Sequence, residues 1–152
     1  MSREHFEDSV RMPNRFEKIS LAQVPSPCYV FDELALEENC QILHEVHKRT
    51  GCKILLALKG FSVFAMFPLF RKYLQGTCAS GLYEARLGKE KFGKELHVFA
   101  PAYSDHEFVQ LLRISDHIVF NSLDQWERMR PLVEKNRRNI SCGIRVNPEY
   151  SE

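Results

Sequence analysis

Five short apolar segments, each separated from the next by one stretch of helical periodicity, restrict this chain to a parallel β/α architecture. The segments lie at 53–59, 77–80, 96–100, 117–120 and 140–146. A single helical crossover between consecutive strands makes them parallel neighbours, joined with right-handed connections. Two layouts satisfy that rule: an open doubly wound sheet, or part of a (β/α)8 barrel of the TIM type. No G-x-G-x-x-G and no G-x-x-x-x-G-K-S occurs, so the two commonest phosphate loops are missing and the barrel is favoured. Five strands cannot close a barrel of eight and would leave an unpaired edge on each side. The chain also stops just after its fifth apolar segment, at Glu149-Tyr150-Ser151-Glu152. The expectation is therefore α/β: the first five β/α units of an incomplete barrel, with Leu56, Leu58 and Val119, or their neighbours, exposed on the uncovered interior side.

The segment Lys53-Ile54-Leu55-Leu56-Ala57-Leu58-Lys59-Gly60-Phe61-Ser62 is the most informative of the five. An unbroken apolar run without polar alternation predicts a strand buried on both faces. Lys59 stands at its C-terminal end, where β/α folds place ligands and chemistry. A lysine there can act as an amine nucleophile toward an aldehyde. Ala57 lies on the same side by two-residue periodicity and leaves room beside the amine. The competing reading is a strand that ends at the surface, its lysine in water.

The intervening stretches carry helix signals. Pro25 and Pro27 bracket a further short strand at Cys28-Tyr29-Val30-Phe31. Asp32 is placed to cap a helix with Leu34, Leu36, Ile42, Leu43 and Val46 on its apolar side, ended by Thr50-Gly51. A helix opening near Ser62 carries Phe64, Phe67, Phe70, Tyr73 and Leu74, with Pro68 in its first turn or kinking it. Others run over 82–91, from Asp105 as cap to about 113, and over 123–136. Residues 1–24 read as a polar arm, and 25–152 as the barrel portion.

Composition excludes several functions. A formal charge of +1 supplies no field to attract nucleic acid or an anionic membrane. No apolar stretch approaches the 18 or so residues of a membrane span, and the polar start is no signal peptide, so the cytoplasm is expected. Cys28, Cys40, Cys52, Cys78 and Cys142 form no C-x-x-C pair and are expected to be reduced and mostly buried. His97, His106 and His117 show no ligand spacing and read as surface or strand-flank residues, so no metal is expected.

An ordered set of blocks adds a resemblance. It comprises Pro27-Cys28-Tyr29-Val30-Phe31-Asp32, the lysine strand, Thr77-Cys78-Ala79-Ser80-Gly81-Leu82-Tyr83-Glu84-Ala85-Arg86-Leu87-Gly88 and Val98-Phe99-Ala100-Pro101-Ala102-Tyr103. It continues with Ile118-Val119-Phe120-Asn121-Ser122, then Gln125-Trp126-Glu127-Arg128, and Gly143-Ile144-Arg145-Val146-Asn147-Pro148-Glu149-Tyr150-Ser151. From about residue 24 onward the chain resembles the N-terminal part of the carboxynorspermidine (carboxyspermidine) decarboxylase family. That family belongs to the alanine-racemase-like (fold type III) pyridoxal-phosphate enzymes, with the diaminopimelate and ornithine decarboxylases.

The resemblance implies pyridoxal 5'-phosphate as cofactor, a carboxylated polyamine as substrate, and a homodimer with active sites shared between subunits. It makes Lys59 the Schiff-base lysine and places Ala57, Ser80, Glu84, Asn121 and Arg145 around the cofactor. Ser80 and Glu84 are four residues apart here and three apart in the ornithine and diaminopimelate enzymes, which leaves capping or pairing of its own helix as the alternative role of Glu84. Arg145 has a structural alternative as a paired residue on the rim. Trp126 and the helix phenylalanines are read as packing. The phosphate loop, the carboxylate facing the pyridine nitrogen, the catalytic cysteine and a C-terminal β domain would lie further along than Glu152. Another amino-acid decarboxylase or racemase of the same group, or a non-catalytic split subunit, are the rival readings.

Overall fold

The computed structural model describes residues 19–150. Its centre is a five-stranded sheet, β1 (Leu55–Ala57), β2 (Gly76–Ala79), β3 (Glu95–Phe99), β4 (His117–Phe120) and β5 (Ser141–Ile144). The strands lie in sequence order and every neighbouring pair is parallel. Helix α1 (Glu33–Thr50) precedes β1, and α2 (Phe67–Tyr73), α3 (Leu82–Leu87), α4 (Asp105–Ile114) and α5 (Leu123–Lys135) fill the four crossovers. Contacts divide the chain into two compact units, one ending at Glu38 and one beginning at Asn39; all five strands and α2–α5 belong to the second. Sequential parallel strands with one helix per crossover are the pattern of a partial (β/α)8 barrel.

The local signals explain the element ends. Asp32 caps α1, its Oδ1 accepting from the Ala35 amide at 3.0 Å. Gly51, at φ +73°, closes that helix in the left-handed region that favours glycine. Pro68 sits in the first turn of α2, where its missing N–H costs nothing. A π-helical turn over Gly88–Phe92 extends α3 and ends at Gly93, φ +73°. Gly76 is required by packing: a Cβ there would lie 2.1 Å from the Glu95 carbonyl oxygen.

One face of the sheet is closed. Leu96 and Val98 of β3 and Ile118 and Phe120 of β4 point toward the helices and are fully buried. They meet Phe67, Phe92, Phe108 and Met129, also fully buried, with Phe108 and Phe120 at 5.8 Å between ring centroids. Each such aromatic contributes about 1.5–3 kcal/mol by leaving water. The opposite face is half-exposed, so β3 and β4 alternate between half-buried and buried positions.

Several expectations are corrected. The lysine strand is not buried on both faces: β1 spans three residues, pairs among the described residues only with β2, and leaves Ala57 exposed. Leu58 is buried, at 2% exposure, and Leu56 half-buried, because both turn to the helix side; of the three residues expected on the open face, Val119 alone lies there. Cys28–Phe31 is not a strand, and Tyr29 is 91% exposed. Ser104, not Asp105, caps α4, accepting from the Glu107 amide. The apolar side of α1 is uncovered: Leu34, Ile42, Leu43 and Val46 are exposed, and Cys40 is its only buried residue. All five cysteines are free as expected, yet Cys40 is the one that is buried. No helix among the described residues is long and apolar enough to cross a membrane. Most of the arm assigned to 1–24 lies outside the described residues.

Candidate functional site

Register and two-residue periodicity together define what the open face presents. Ala57, Cys78, His97, His117 and Ser141 are cross-strand partners in one row. Phe99, Val119 and Gly143 form the next row toward the C-terminal ends. Continuing each strand by two residues brings Lys59 and Ser80 to the level of Phe99, and Asn121 and Arg145 one step beyond. Four residues from four different connections therefore gather at the C-terminal end of one face, Ala57 marking its floor. Proximity in sequence did not assemble them; the parallel register did.

Lys59 sits in the turn that follows β1 rather than in the strand. The Gly60 and Phe61 amides both donate to the Ala57 carbonyl, at 3.0 and 3.1 Å, so the chain folds back immediately beyond the strand. Buried Leu58, whose amide donates to the Cys78 carbonyl at 3.0 Å, anchors this turn against β2. Lys59 is exposed, and among the described residues its amine makes no hydrogen bond or ion pair. A small cavity of about 60 Å³ opens beside it, lined by Ala57, Lys59, Cys78, Ala79, Ser80 and Phe99. Burial raises the Cys78 thiol pKa, opposed by the positive charge of Lys59.

The strand ends of β2 and β4 are fixed by the same device. Glu84 takes two hydrogen bonds from Ser80: the amide at 2.8 Å and the hydroxyl at 2.9 Å. Gln125 accepts from the Asn121 amide at 2.7 Å and donates to the Pro101 carbonyl at 3.1 Å. In each case a residue four positions on, in the first turn of the next helix, ties down the backbone leaving the strand. Glu84 thus holds the Ser80 junction. Sequence reasoning treated Gln125 only as part of a motif and missed its role; the repeated i,i+4 spacing at two strand ends was the available signal. Arg128 binds the neighbouring loop, through Asp105 at 2.9 Å and the Tyr103 carbonyl at 2.6 Å. Trp126 packs edge-on against Phe120 at 5.1 Å, the packing role expected of it.

Arg145 follows β5 directly. Its amide donates to the Phe120 carbonyl at 2.8 Å, and its guanidinium lies 5.3 Å from the centroid of the Phe99 ring. The side chain therefore reaches back over the open face toward the Lys59 side, which no sequence spacing showed. Tyr103 supports the same region from beneath: its hydroxyl accepts from the Ala100 amide at 2.9 Å and donates to the Val119 carbonyl at 3.0 Å. Burial pushes its pKa up to about 12.

Lower on the open face is a group that sequence reading dismissed. His97 and His117 are cross-strand partners, their rings stacked with centroids 4.0 Å apart. Glu95, two residues before His97 on β3, holds His117 Nε2 at 2.8 Å and Lys53 Nζ at 2.8 Å. The Lys53 hydrogen bond chiefly, with that of His117, depresses the Glu95 carboxyl to about 2 against the opposing effect of burial. Twenty residues separate the two histidines, so only the register of β3 with β4 reveals the pair.

No family model matches the chain. Individual relatives do. It is 42% identical over 138 residues to a carboxyaminopropylagmatine decarboxylase of Synechocystis, covering 91% of this chain and 35% of that protein. It is 39% identical over 129 residues to a carboxynorspermidine/carboxyspermidine decarboxylase of Campylobacter jejuni, covering 85% of this chain and 33% of the relative. A crystal structure of carboxynorspermidine decarboxylase from Campylobacter jejuni, complexed with norspermidine, superposes with a TM-score of 0.78 at 39% identity. That match covers 84% of this chain and 34% of the other. The chain is thus a homologue of these decarboxylases and spans about a third of their length.

Proposed function

We propose that this chain supplies the reactive lysine and one wall of the cofactor site of a pyridoxal-phosphate-dependent decarboxylase. The enzyme acts on carboxynorspermidine or carboxyspermidine, releasing CO₂ and norspermidine or spermidine in polyamine biosynthesis. The observation that carries this reading is the homology, with an accessible lysine at the strand end beside an open cavity. The residues fit the cofactor's chemistry. Lys59 offers an amine to an aldehyde, Ala57 leaves space beside it, and Arg145 brings a cation over the same face for a group that carries negative charge. Ser80 and Asn121 present polar side chains from backbones that Glu84 and Gln125 hold still. When bound, the cofactor supplies an electron sink for the bond to the departing carboxylate.

The chain's own residues would bind and orient. Lys59 would hold the cofactor through its Nζ, and the Arg145 guanidinium would stabilise negative charge on the bound group. The phosphate and the polyamine tail need groups outside this sheet, so the first five units are one part of a complete site. A homodimer in the cytoplasm completes the proposal.

A second substrate is favoured by the Synechocystis relative, namely carboxyaminopropylagmatine. The test incubates the holoenzyme with borohydride, maps the labelled peptide, and then assays CO₂ and amine products from each carboxylated substrate. Label on Lys59 with norspermidine or spermidine as product supports the proposal. Label on Lys53, or turnover only of diaminopimelate or ornithine, overturns it. Turnover of carboxyaminopropylagmatine alone would establish the second reading.

A further inference from the structure

We infer that Glu95, His97 and His117 form a binding site for a divalent transition-metal ion on the open face of the sheet, separate from the Lys59 end. The three side chains offer one carboxylate oxygen and two imidazole nitrogens, all within 4.8 Å of one another. Donors bound to one ion at about 2.0–2.2 Å sit a little over 3 Å apart, so this spread needs only side-chain adjustment. Glu95 Oε2 lies 3.7 Å from His97 Nε2, and Glu95 Oε1 lies 2.8 Å from His117 Nε2.

His97 carries the decisive detail. Its Nε2 is shielded from solvent and has no hydrogen-bond partner, although its ring faces a carboxylate. A buried polar atom left unsatisfied costs free energy, and an ion between His97 and Glu95 would satisfy it. The donor set is two nitrogens and one oxygen, which suits Zn²⁺, Co²⁺ or Ni²⁺ and disfavours Mg²⁺ or Ca²⁺. The residues sit on adjacent β-strands rather than loops, with the row fixed by the pairing of His97 with His117. All three are half-buried, and a water can complete a four-coordinate site that has three protein ligands.

Two features oppose the ion and set the terms of the test. Lys53 already pairs with Glu95 Oε1 at 2.8 Å, so the ion must compete with an ammonium. The stacked rings, 4.0 Å apart with 23° between planes, must also splay for both Nε2 atoms to point at one ion. Binding needs His117 Nε2 without its proton, which the neutral ring carries on Nδ1 instead, and the ion takes the place of the His117–Glu95 hydrogen bond.

The experiment titrates untagged, metal-stripped protein, at its full natural length, with Zn²⁺ and separately with Co²⁺. Calorimetry follows the first and visible absorption the second. One ion per chain is expected. His97→Ala and His117→Ala should each weaken binding by about 100-fold, the upper end of what even outer-shell changes cost a metal site. Lys53→Met should tighten it about threefold, since an exposed ion pair of that kind is worth under about 1 kcal/mol. His106→Ala, on the exposed side of α4, should change nothing. Failure of the parent protein to bind either ion, or equal binding by the His97 and parent proteins, overturns the inference. Should a histidine variant not fold, the parent and Lys53→Met titrations decide: tighter binding in Lys53→Met supports the site, and unchanged binding overturns it. None of these outcomes depends on decarboxylase activity, so the proposed function stands or falls separately.

Discussion

The two faces of this sheet are made from alternate residues of the same strands and have opposite character. On the helix side, Leu96, Val98, Ile118 and Phe120 are wholly buried among Phe67, Phe92, Phe108 and Met129. On the other side, the same strands present Glu95, His97, Phe99, His117 and Val119, all half-buried. Apolar packing on one face holds the backbone, and the chemistry-bearing side chains stand on the other. The contrast teaches that the site's precision is largely borrowed: the strands that lead to Lys59 and Arg145 are held by packing on the opposite face.

Substitutions should separate the faces cleanly. The largest effect is expected at Lys59. Lys59→Ala should abolish attachment of pyridoxal phosphate and turnover, while its thermal midpoint stays close to the parent's, because exposed substitutions shift stability by about 0.5 kcal/mol or less. Cofactor absorbance and a melting curve on the same sample check both halves. A large fall in melting temperature would mean that the open face also holds the fold.

Phe108→Ala tests the covered face. Removing a fully buried ring should cost about 3–5 kcal/mol in stability, a large share of the 5–15 kcal/mol typical of a domain. Denaturant unfolding reads this directly, and Lys59 should still accept the cofactor below the transition.

Arg145→Ala comes next. Loss of an electrostatic donor near the reacting group should lower turnover by roughly a hundredfold, equivalent to about 3 kcal/mol. The lost contact with Phe99 is an exposed cation–π pair, worth about 0.5–1 kcal/mol. Activity should therefore fall far more than stability; the reverse ratio would make Arg145 a structural rim residue.

Tyr103→Phe has the smallest expected effect and sharpens the boundary between the faces. It leaves the Ala100 amide and Val119 carbonyl short of a partner, at about 1–3 kcal/mol. The parent protein also has a pH signature. Tyr103 is held protonated up to about 12 in the fold, against 10.0 ordinarily. Between those values the unfolded chain loses the proton and the folded chain keeps it, so stability falls as pH rises from about 10 toward 12. Below 10 both states are protonated and the contribution is intact. Unfolding curves across that window should converge for the parent and Tyr103→Phe.

Much of the fold is legible in the sequence because local chemistry specifies it. Asp32, Gly51, Pro68 and Gly93 mark helix ends through local side-chain and backbone chemistry. The apolar segments at 117–120 and 96–100 predict β4 and β3 almost to the residue, since a short apolar run between helical stretches has few other uses. The reading failed where burial depends on what lies opposite. The seven residues 53–59 expected as a buried strand become a three-residue edge, because a continuous apolar run promises two covered faces and only one is covered among the described residues. Likewise α1 carries its apolar stripe at Ile42, Leu43 and Val46 as predicted, yet the stripe is exposed.

By itself the sequence determined the order of elements, the parallel topology, the placement of Lys59 at a strand end and the family resemblance. These depend on neighbours within a few residues, or on blocks that can be compared one at a time. Only the tertiary structure decided which distant residues share a face. Register brings Arg145 over Phe99, sets Ser80 level with Lys59, and stacks His97 on His117 across twenty residues of chain. A one-residue shift in any strand pair would send those side chains to the opposite face. The chain names the groups, and the hydrogen-bonded register of five parallel strands decides which of them meet.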